Sequence, residues 1–361
     1  MTRSDPGRSL AAALPGLALV AALAVGATAM SGWVGEGLLG YTTSPLSPIL
    51  LAVLSGLLIR NTVGLDGAFA PGIAWTAGPL LRVSIALLGI RLSVGALATL
   101  GVIALPIVVG CIVAALGAIG AITRLVNVPP RLGSLIAAGT SICGITAVVA
   151  LAPVIEARDD ETSYAVATVA LFGMIALFSY PFLAHVLFDD ATRAGLFLGT
   201  SIHDTSQVVG AALAYSQQFG APEAVETAVV TKLVRNVGII AVIPLISYLH
   251  ASRSDDSSRP APAVPGFILA FVAMALLRTA GDLAAAAGLL PVAGWDRAVA
   301  WTQWAAAGGL LVAMAAVGLG TRVDGLLGLG ARPLAVGLTA ALTVGGVSIV
   351  LIELLGIVHV L

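Results

Sequence analysis

The sequence has 361 residues, of which 59% are hydrophobic and only 10% are charged, and its mean hydropathy is +1.06. An ordinary soluble domain is about half apolar and about a quarter charged, so this composition excludes the soluble class. The composition predicts an all-α polytopic membrane protein embedded in the lipid bilayer. The net charge is −1 and no basic run occurs, so nothing indicates a nucleic-acid partner. The two cysteines lie in apolar stretches, so neither a disulfide framework nor a cysteine-based metal site is expected.

Breaking the apolar runs at charged, proline and glycine clusters predicts about eleven transmembrane helices. They cover residues 10–30, 46–60, 72–91, 98–122, 132–155, 162–188, 192–217, 224–249, 264–280, 298–320 and 333–360. The polar, proline-rich segment 252–265 is the one plausible linker. It divides an eight-helix part (1–251) from a three-helix part (266–361) within a single membrane transporter domain.

The arginine distribution predicts the orientation of these helices. The first apolar run, from Leu10 to Met30, contains a sequence that imitates a signal-peptidase site, but about twenty residues suffice to cross the hydrocarbon and we expect this helix to be retained. With the N-terminus inside, ten loop arginines lie on the cytoplasmic side and four on the other. The positive-inside rule therefore predicts an N-in, C-out topology.

Two internal repeats occur in the sequence. The tetrapeptide Gly-Thr-Ser-Ile at 139–142, in the fifth predicted helix, recurs at 199–202 in the seventh, which runs in the same direction. Both motifs are therefore expected at one depth. A weaker match joins 88–91 to 319–322, in helices that run in opposite directions. Such a match is typical of an inverted-topology repeat, although a four-residue match also arises by chance in so biased a sequence.

Several charged and polar side chains are predicted to converge near the middle of the bilayer. At a rise of about 1.5 Å per residue, the side chains of the seventh and eighth helices lie about 14–18 Å from the ends of their spans. The hydrocarbon core is about 30 Å thick, which puts them close to its centre. The group comprises Arg82, Thr140, Ser141, His203, Asp204, Lys232 and Arg235.

The eighth predicted helix carries the cations of this group. Lys232, the only lysine of the chain, shares one helix face with Arg235 and Asn236 at positions i, i+3 and i+4. Ionised groups at this depth face the bundle interior or a water-filled cavity, where they pair. Two cations facing Asp204 and His203 leave a neutral to positive site, which suits a small anion. The structural alternative is a buried pair between Asp204 and one of the cations.

The seventh predicted helix carries polar groups on adjacent faces. Thr200 shares a face with Asp204, and His203 shares the next with Gln207. A Gly-Thr-Ser motif that includes Ser201 favours a break in the helix, since glycine weakens it and the hydroxyls replace lost backbone bonds; simple packing is the alternative. A half-helix N-terminus exposes N–H groups that can bind an anion. Protonation of Asp204 or His203 would couple transport to protons.

At these residues the sequence resembles the YeiH-type sulfate exporter family of prokaryotic membrane proteins. The resemblance covers nearly the whole chain and is most specific in GTSIHDTSQV, which begins at residue 199. It implies a secondary carrier of the cytoplasmic membrane, for sulfate or an organosulfonate. It also implies kinship with the cation–proton antiporter and anion transporter group, which uses inverted repeats and crossing broken helices. The matching segments are 81–93, 137–157, 199–212, 232–236 and 313–319.

The resemblance also implies which residues form the polar signature of the family. On this ground Cys143 joins the predicted substrate-binding residues. Asn236 and Ile145 differ from the commoner pattern of the family. The matching positions are Thr140, Ser141, Cys143, His203, Asp204, Gln207, Lys232 and Arg235.

Three classes of function are compatible with these residues. The leading one is a secondary transporter that exports a small anion, driven by gradients because no Walker motif is present. The second is a cation–proton antiporter that uses Asp204 and Lys232, although the excess of cations argues against a bare cation site. The third is an intramembrane enzyme using Ser201 and His203, which on a continuous helix point about 200° apart and cannot pair. We expect no enzymatic activity, cofactor or metal, and a homodimer is left open.

Overall fold

The computed structural model describes residues 6–34, 47–250, 266–322 and 331–357, and every regular element in these ranges is a helix. We number the helices in chain order. They are α1 (Pro6–Gly32), α2 (Pro48–Thr62), α3 (Gly67–Arg91), α4 (Val94–Leu125), α5 (Pro130–Ser141), α6 (Ile145–Leu151), α7 (Asp159–Leu187), α8 (Ala191–Ser201), α9 (Thr205–Phe219), α10 (Glu223–His250), α11 (Gly266–Ala286), α12 (Val292–Gly320) and α13 (Ala331–Ile357).

Eight of the described helices are long and apolar enough to cross a membrane, namely α1, α3, α4, α7, α10, α11, α12 and α13. The predicted number of about eleven is therefore not confirmed. At predicted span 46–60 the structure has α2, a shorter apolar helix of 15 residues. At 132–155 and 192–217 it has two pairs of short helices, each pair separated by a non-helical segment. The inverted-topology repeat stays a prediction.

The described residues group into two compact units. The first lies within Met1–Val94 and Gly266–Asp324, and contains α1 to α3, α11 and α12. The second lies within Gly95–Pro265 and Gly325–Leu361, and contains α4 to α10 and α13. The predicted linker 252–265 lies outside the described residues, and the predicted division into two parts on either side of it stays a prediction.

A polar network joins the helices of the first unit. Arg278 on α11 donates to the carboxylate of Asp282 at 2.8 Å, one helical turn away. The indole of Trp295 on α12 donates to the same carboxylate at 2.7 Å. The hydroxyl of Thr279 accepts the N–H of Val94 at 2.9 Å. Each donor in this network has an acceptor, as expected for polar groups in an apolar helix bundle.

Glycine allows a close approach of α8 to α10 in the second unit. A Cβ on Gly199 would lie 2.6 Å from the Cβ of Thr231 and 2.7 Å from the carbonyl oxygen of Ala228. No larger residue fits there without a shift of the backbone. Glycine at this position therefore brings the end of α8 within reach of the polar face of α10 that carries Lys232 and Arg235.

The chain leaves the helical conformation at both Gly-Thr-Ser-Ile motifs, as the sequence predicted. Helix α5 ends at Ser141, and α6 begins after Gly144, whose φ of 71° and ψ of −135° are accessible to glycine but strained for other residues. Helix α8 ends at Ser201, and Ile202 is extended, with φ −84° and ψ 137°. Helix α9 then begins after Asp204. We call the segments 142–144 and 202–204 the first and second helix breaks.

Candidate functional site

The two helix breaks touch each other. A Cβ on Gly144, in the first break, would lie 2.8 Å from the Cα of Asp204 and 2.7 Å from its Oδ2, in the second. The absence of a side chain at Gly144 therefore lets the two backbones meet. Two motifs separated by sixty residues in the sequence thus form one locus in the structure.

The side chain of Arg235, fully buried on α10, joins the ends of α5 and α8. Its Nε donates to the carbonyl oxygen of Ser141 at 2.9 Å. Its Nη1 donates to the carbonyl oxygens of Thr200 at 2.6 Å and Ile202 at 3.0 Å. Its Nη2 donates to the carbonyl oxygen of Thr140. One guanidinium group therefore bonds the C-terminal carbonyls of both half-helices.

Lys232, one turn earlier on α10, makes the same kind of bridge. Its Nζ donates to the carbonyl oxygens of Ile142 at 2.9 Å and Ile202 at 3.1 Å, and to that of His203. An ammonium group has three protons, so these three bonds use all of its donors. Lys232 is fully buried and touches both breaks.

Helix-end electrostatics explains why two cations are buried here. The last carbonyls of a helix have no partner within it, and its C-terminus carries about half a negative charge. Two half-helices end at this locus, so unsatisfied carbonyls of both accumulate in the interior of the protein. Lys232 and Arg235 satisfy these carbonyls and compensate their partial charges. In return, the carbonyls reduce the cost of burying two cations.

Asp204 has partners other than the two cations. Its Oδ1 accepts from the N–H of Ser206 at 2.9 Å and from the Ser206 hydroxyl at 2.6 Å. Its own N–H donates to Oε1 of Gln207 at 3.3 Å, which completes a capping box at the start of α9. No ion pair links Asp204 to Lys232 or Arg235 in the described parts of the chain. Asp204 therefore acts as the N-cap of α9.

Gln207 and Asn236 hold neighbouring helices to the second break. The amide of Gln207 donates to the carbonyl oxygen of Ala170 on α7 at 3.3 Å. The amide of Asn236 donates to the hydroxyl of Thr205, the first residue of α9, at 3.2 Å. This contact places Asn236, which the sequence predicted as a substrate-binding residue on one face with Lys232 and Arg235, beside the second break.

Several buried polar atoms at the breaks have no hydrogen-bond partner among the described residues. They are Oγ of Ser141, Oγ of Ser201, both ring nitrogens of His203 and Oδ1 of Asn236. The four residues are at most 2% exposed. By contrast, the motif threonines donate back into their own helices, Thr140 to Ile136 and Thr200 to Leu196, each at 2.7 Å. Most buried polar groups in proteins are paired, so this set is unusual.

Sequence reasoning missed two residues at the site. Oγ of Ser348, on α13, lies 2.6 Å from Oγ of Thr200, and Ser348 is fully buried. Thr231, also fully buried, precedes Lys232 on α10 and its hydroxyl has no partner in the described chain. The only sequence signal for either is a hydroxyl within an apolar span, and most such residues only pack.

The two remaining predicted site residues lie in different places. Cys143 lies within the first break as a buried free thiol. Arg82 is exposed on α3, in the first unit, whereas the breaks belong to the second. Its role in substrate binding stays a prediction. Within the described ranges, no group of three or more histidine, cysteine, aspartate or glutamate residues is arranged to hold a metal ion.

Comparison with known proteins identifies the family. A family model described as conserved hypothetical protein 698 matches residues 15–337. The chain belongs to this family, that of the YeiH-type or UPF0324 membrane proteins. It is 34% identical to the UPF0324 membrane protein TauZ of Paracoccus pantotrophus over 330 residues, which are 90% of each chain. It is also 34% identical to TauZ of Paracoccus denitrificans over 338 residues, 91% of this chain and 92% of that one.

The relatives extend beyond these organisms. A UPF0324 membrane protein of Bacillus anthracis is 32% identical over 319 residues, 86% of this chain and 88% of the relative. No solved structure matches the chain. The family membership, the apolar helices and the membrane-protein relatives together identify the chain as a polytopic membrane protein.

Proposed function

We propose that this protein is a secondary transporter that exports a small anion, of the sulfate or organosulfonate class, across the cytoplasmic membrane. The observation that carries the proposal is the meeting of two helix breaks around Lys232 and Arg235. Substrate would bind at the two helix breaks, the first between α5 and α6 and the second between α8 and α9, beside α10. The sulfur-anion class follows from the resemblance to the YeiH-type sulfate exporters.

The helix breaks support a transport role. Irregular backbone at membrane depth is tolerated only where it is buried in protein or lines a water-filled cavity. Secondary transporters commonly bind substrate near the bilayer midplane, at discontinuous helices contributed by structural repeats. Our proposal includes this depth, an N-in, C-out orientation and inverted repeats.

The charges at the breaks support an anionic substrate. Lys232 and Arg235 carry two positive charges, and Asp204 one negative charge, so the formal charge of the three is positive. Because Asp204 caps α9 through Ser206, its carboxylate is already engaged. This engagement disfavours the alternative of a cation–proton antiporter in which Asp204 and Lys232 exchange partners.

The geometry gives no support to an intramembrane enzyme. The helix break that would let Ser201 and His203 approach each other is present. However, Oγ of Ser201 and both ring nitrogens of His203 have no hydrogen-bond partner in the described chain, so the two do not form a nucleophile–base pair. Our proposal therefore includes no catalytic residue, cofactor or metal.

Flux through proteoliposomes tests the proposal. We expect the wild type to transport labelled sulfate or an organosulfonate, and Lys232→Ala and Arg235→Ala each to lower the flux more than about tenfold, since each leaves buried helix-end carbonyls unpaired. Arg158→Ala is the control, because that side chain is 66% exposed and its ion pair, with Asp160, involves neither helix break. Exchange of Na⁺ or K⁺ for protons, independent of any anion, would favour the antiporter instead.

A further inference from the structure

We propose that the anion is bound by three uncharged donors, the hydroxyls of Ser141 and Ser201 and the imidazole of His203, and that Lys232 and Arg235 do not touch it. In this assignment the two cations are positioning residues that hold the breaks together. The inference rests on the proposed function and names the atoms through which the same site would recognise its substrate.

All but one of the N–H donors of the two cations are already committed to backbone carbonyls. Lys232 donates its three protons to Ile142, Ile202 and His203. Four of the five N–H groups of the Arg235 guanidinium donate to carbonyls at or just past the ends of α5 and α8. An anion that took these donors would leave several buried carbonyls without partners. The structure therefore favours recognition of the anion by groups that have no other role.

Three groups without another role lie beside the carbonyls that accept from Lys232 and Arg235. Ser141 and Ser201 are the last residues of α5 and α8, and they occupy equivalent positions in the two motifs. The carbonyl of Ser141 and those on both sides of Ser201 bond Arg235, so both serines flank one guanidinium group. His203 follows in the second break, with its carbonyl on Lys232. All three side chains are fully buried or nearly so, and all lack partners among the described residues.

The other polar groups at the breaks are unsuited to contact an anion. The hydroxyls of Thr140 and Thr200 donate to carbonyls of their own helices. The unpaired atom of Asn236 is its amide oxygen, which accepts but does not donate. Asp204 is an anion itself. The hydroxyl of Thr231 is also unpaired in the described chain, but it lies on α10, outside the motifs and the breaks. Within the motifs and the breaks, this leaves one hydroxyl from each motif and the imidazole.

The chemistry of a sulfur oxyanion fits this set. A sulfonate group presents three oxygens, and each hydroxyl and a neutral imidazole supplies one N–H or O–H donor. When charged, Lys232 and Arg235 stabilise a nearby anion through the low-dielectric interior without direct contact. Three neutral donors then determine which anion binds, while the cations favour negative charge in general.

Ligand-dependent thermal unfolding of the purified full-length protein separates the two roles. The probes are sodium sulfate and sodium methanesulfonate, with sodium chloride at equal ionic strength as the reference. We expect sulfate or methanesulfonate to raise the melting temperature of the wild type. Ser141→Ala and Ser201→Ala should unfold near the wild-type temperature without ligand but bind the anion at least about tenfold more weakly.

The positioning residues should behave in the opposite way. We expect Arg235→Lys to lower the melting temperature without ligand, because lysine cannot bridge four carbonyls, and to keep the anion dissociation constant within about threefold of wild type. If Arg235→Lys does not fold, Lys232→Arg is measured in its place. Ser179→Ala, which removes an exposed hydroxyl bonded to its own helix at 2.7 Å, is the control and should change neither quantity.

Two results would overturn the inference, and they are distinguishable. If the wild type responds to an anion, the serine variants keep that response and Arg235→Lys loses it, then the cations bind the substrate; the assignment to neutral donors fails while the proposed function stands. If no anion stabilises the wild type and none is transported in proteoliposomes, the inference and the proposed function fail together.

Discussion

Gly144 allows the two helix breaks to meet. Its φ of 71° with ψ of −135° is a conformation that residues with a Cβ rarely adopt. Its missing side chain also leaves room for the backbone of Asp204. Both effects act at one residue, which therefore fixes the geometry from which Lys232 and Arg235 bridge the half-helices.

Replacement of Gly144 tests this role. We expect Gly144→Ala to lower the stability by more than about 2 kcal/mol, since backbone strain and the collision with Asp204 add together. Thermal unfolding in detergent measures the loss. Gly220→Ala is a matched control, because Gly220 also has positive φ (67°) but open space where a Cβ would lie. It should cost only about 1 kcal/mol, the penalty for the left-handed conformation alone. Equal losses in the two variants would contradict the close contact at Gly144.

The partners of Lys232 and Arg235 show what residue-level sequence reasoning can and cannot predict. The position of the chain's only lysine among apolar residues predicted a buried cation at a polar site. Its partners were not predicted, since pairing by charge points to Asp204, whereas the structure uses the backbone carbonyls of Ile142, Ile202 and His203. Every residue has a backbone carbonyl, and a helical carbonyl is left without a backbone partner only near the end of its helix. No residue type therefore indicates which carbonyls will accept from a side chain.

At the scale of the helices, α13 contacts the second motif through one hydroxyl pair. Ser348 on α13 bonds Thr200 on α8, and both are fully buried. The hydroxyl of the corresponding Thr140 in the first motif bonds only within its own helix in the described structure. The two threonine hydroxyls, equivalent in the sequence motifs, therefore have different partners, and α13 bonds that of the second motif.

Removal of the hydrogen bond between Ser348 and Thr200 should cause a modest, measurable loss of stability. We expect Ser348→Ala to destabilise the protein by about 0.6 to about 1.7 kcal/mol, the range for interhelical hydrogen bonds in membrane proteins. Guanidinium- or heat-induced unfolding in detergent measures it. Ser179→Ala removes a hydroxyl that bonds only its own helix and should cost less than about 0.5 kcal/mol. A loss no greater than that of the control would mean that the contact between α13 and α8 contributes nothing.

The number of helices shows how much of the fold hydropathy can predict. Apolar runs located the long helices well, because run length is what lipid-spanning segments require. Hydropathy also predicted continuous spans at 132–155 and 192–217, although each is interrupted in the structure. The mean hydropathy of a span is the same whether its helix is continuous or interrupted, so it does not reveal a break. The repeated Gly-Thr-Ser-Ile motif was the better predictor, since it placed both breaks.

At the scale of the whole molecule, the second unit contains both breaks, both cations and α13. The membrane class follows from composition, from the eight long apolar helices of the described chain and from the UPF0324 family. The contact of Ser348 required the structure, because it depends on which helices are neighbours. The engagement of Asp204 is local, with Ser206 and Gln207, and depends on where the helix is broken. The transport of an anion is the claim that remains to be measured.

Counterflow in proteoliposomes tests that claim most directly. Vesicles that contain the purified wild type and excess unlabelled sulfate or methanesulfonate are diluted into a trace of the labelled anion. We expect the label to accumulate transiently above equilibrium, because a carrier that exchanges substrate couples efflux to influx, and we expect Lys232→Ala to abolish the accumulation. Wild-type vesicles that take up no more label than protein-free vesicles, for either anion, would contradict the proposed function.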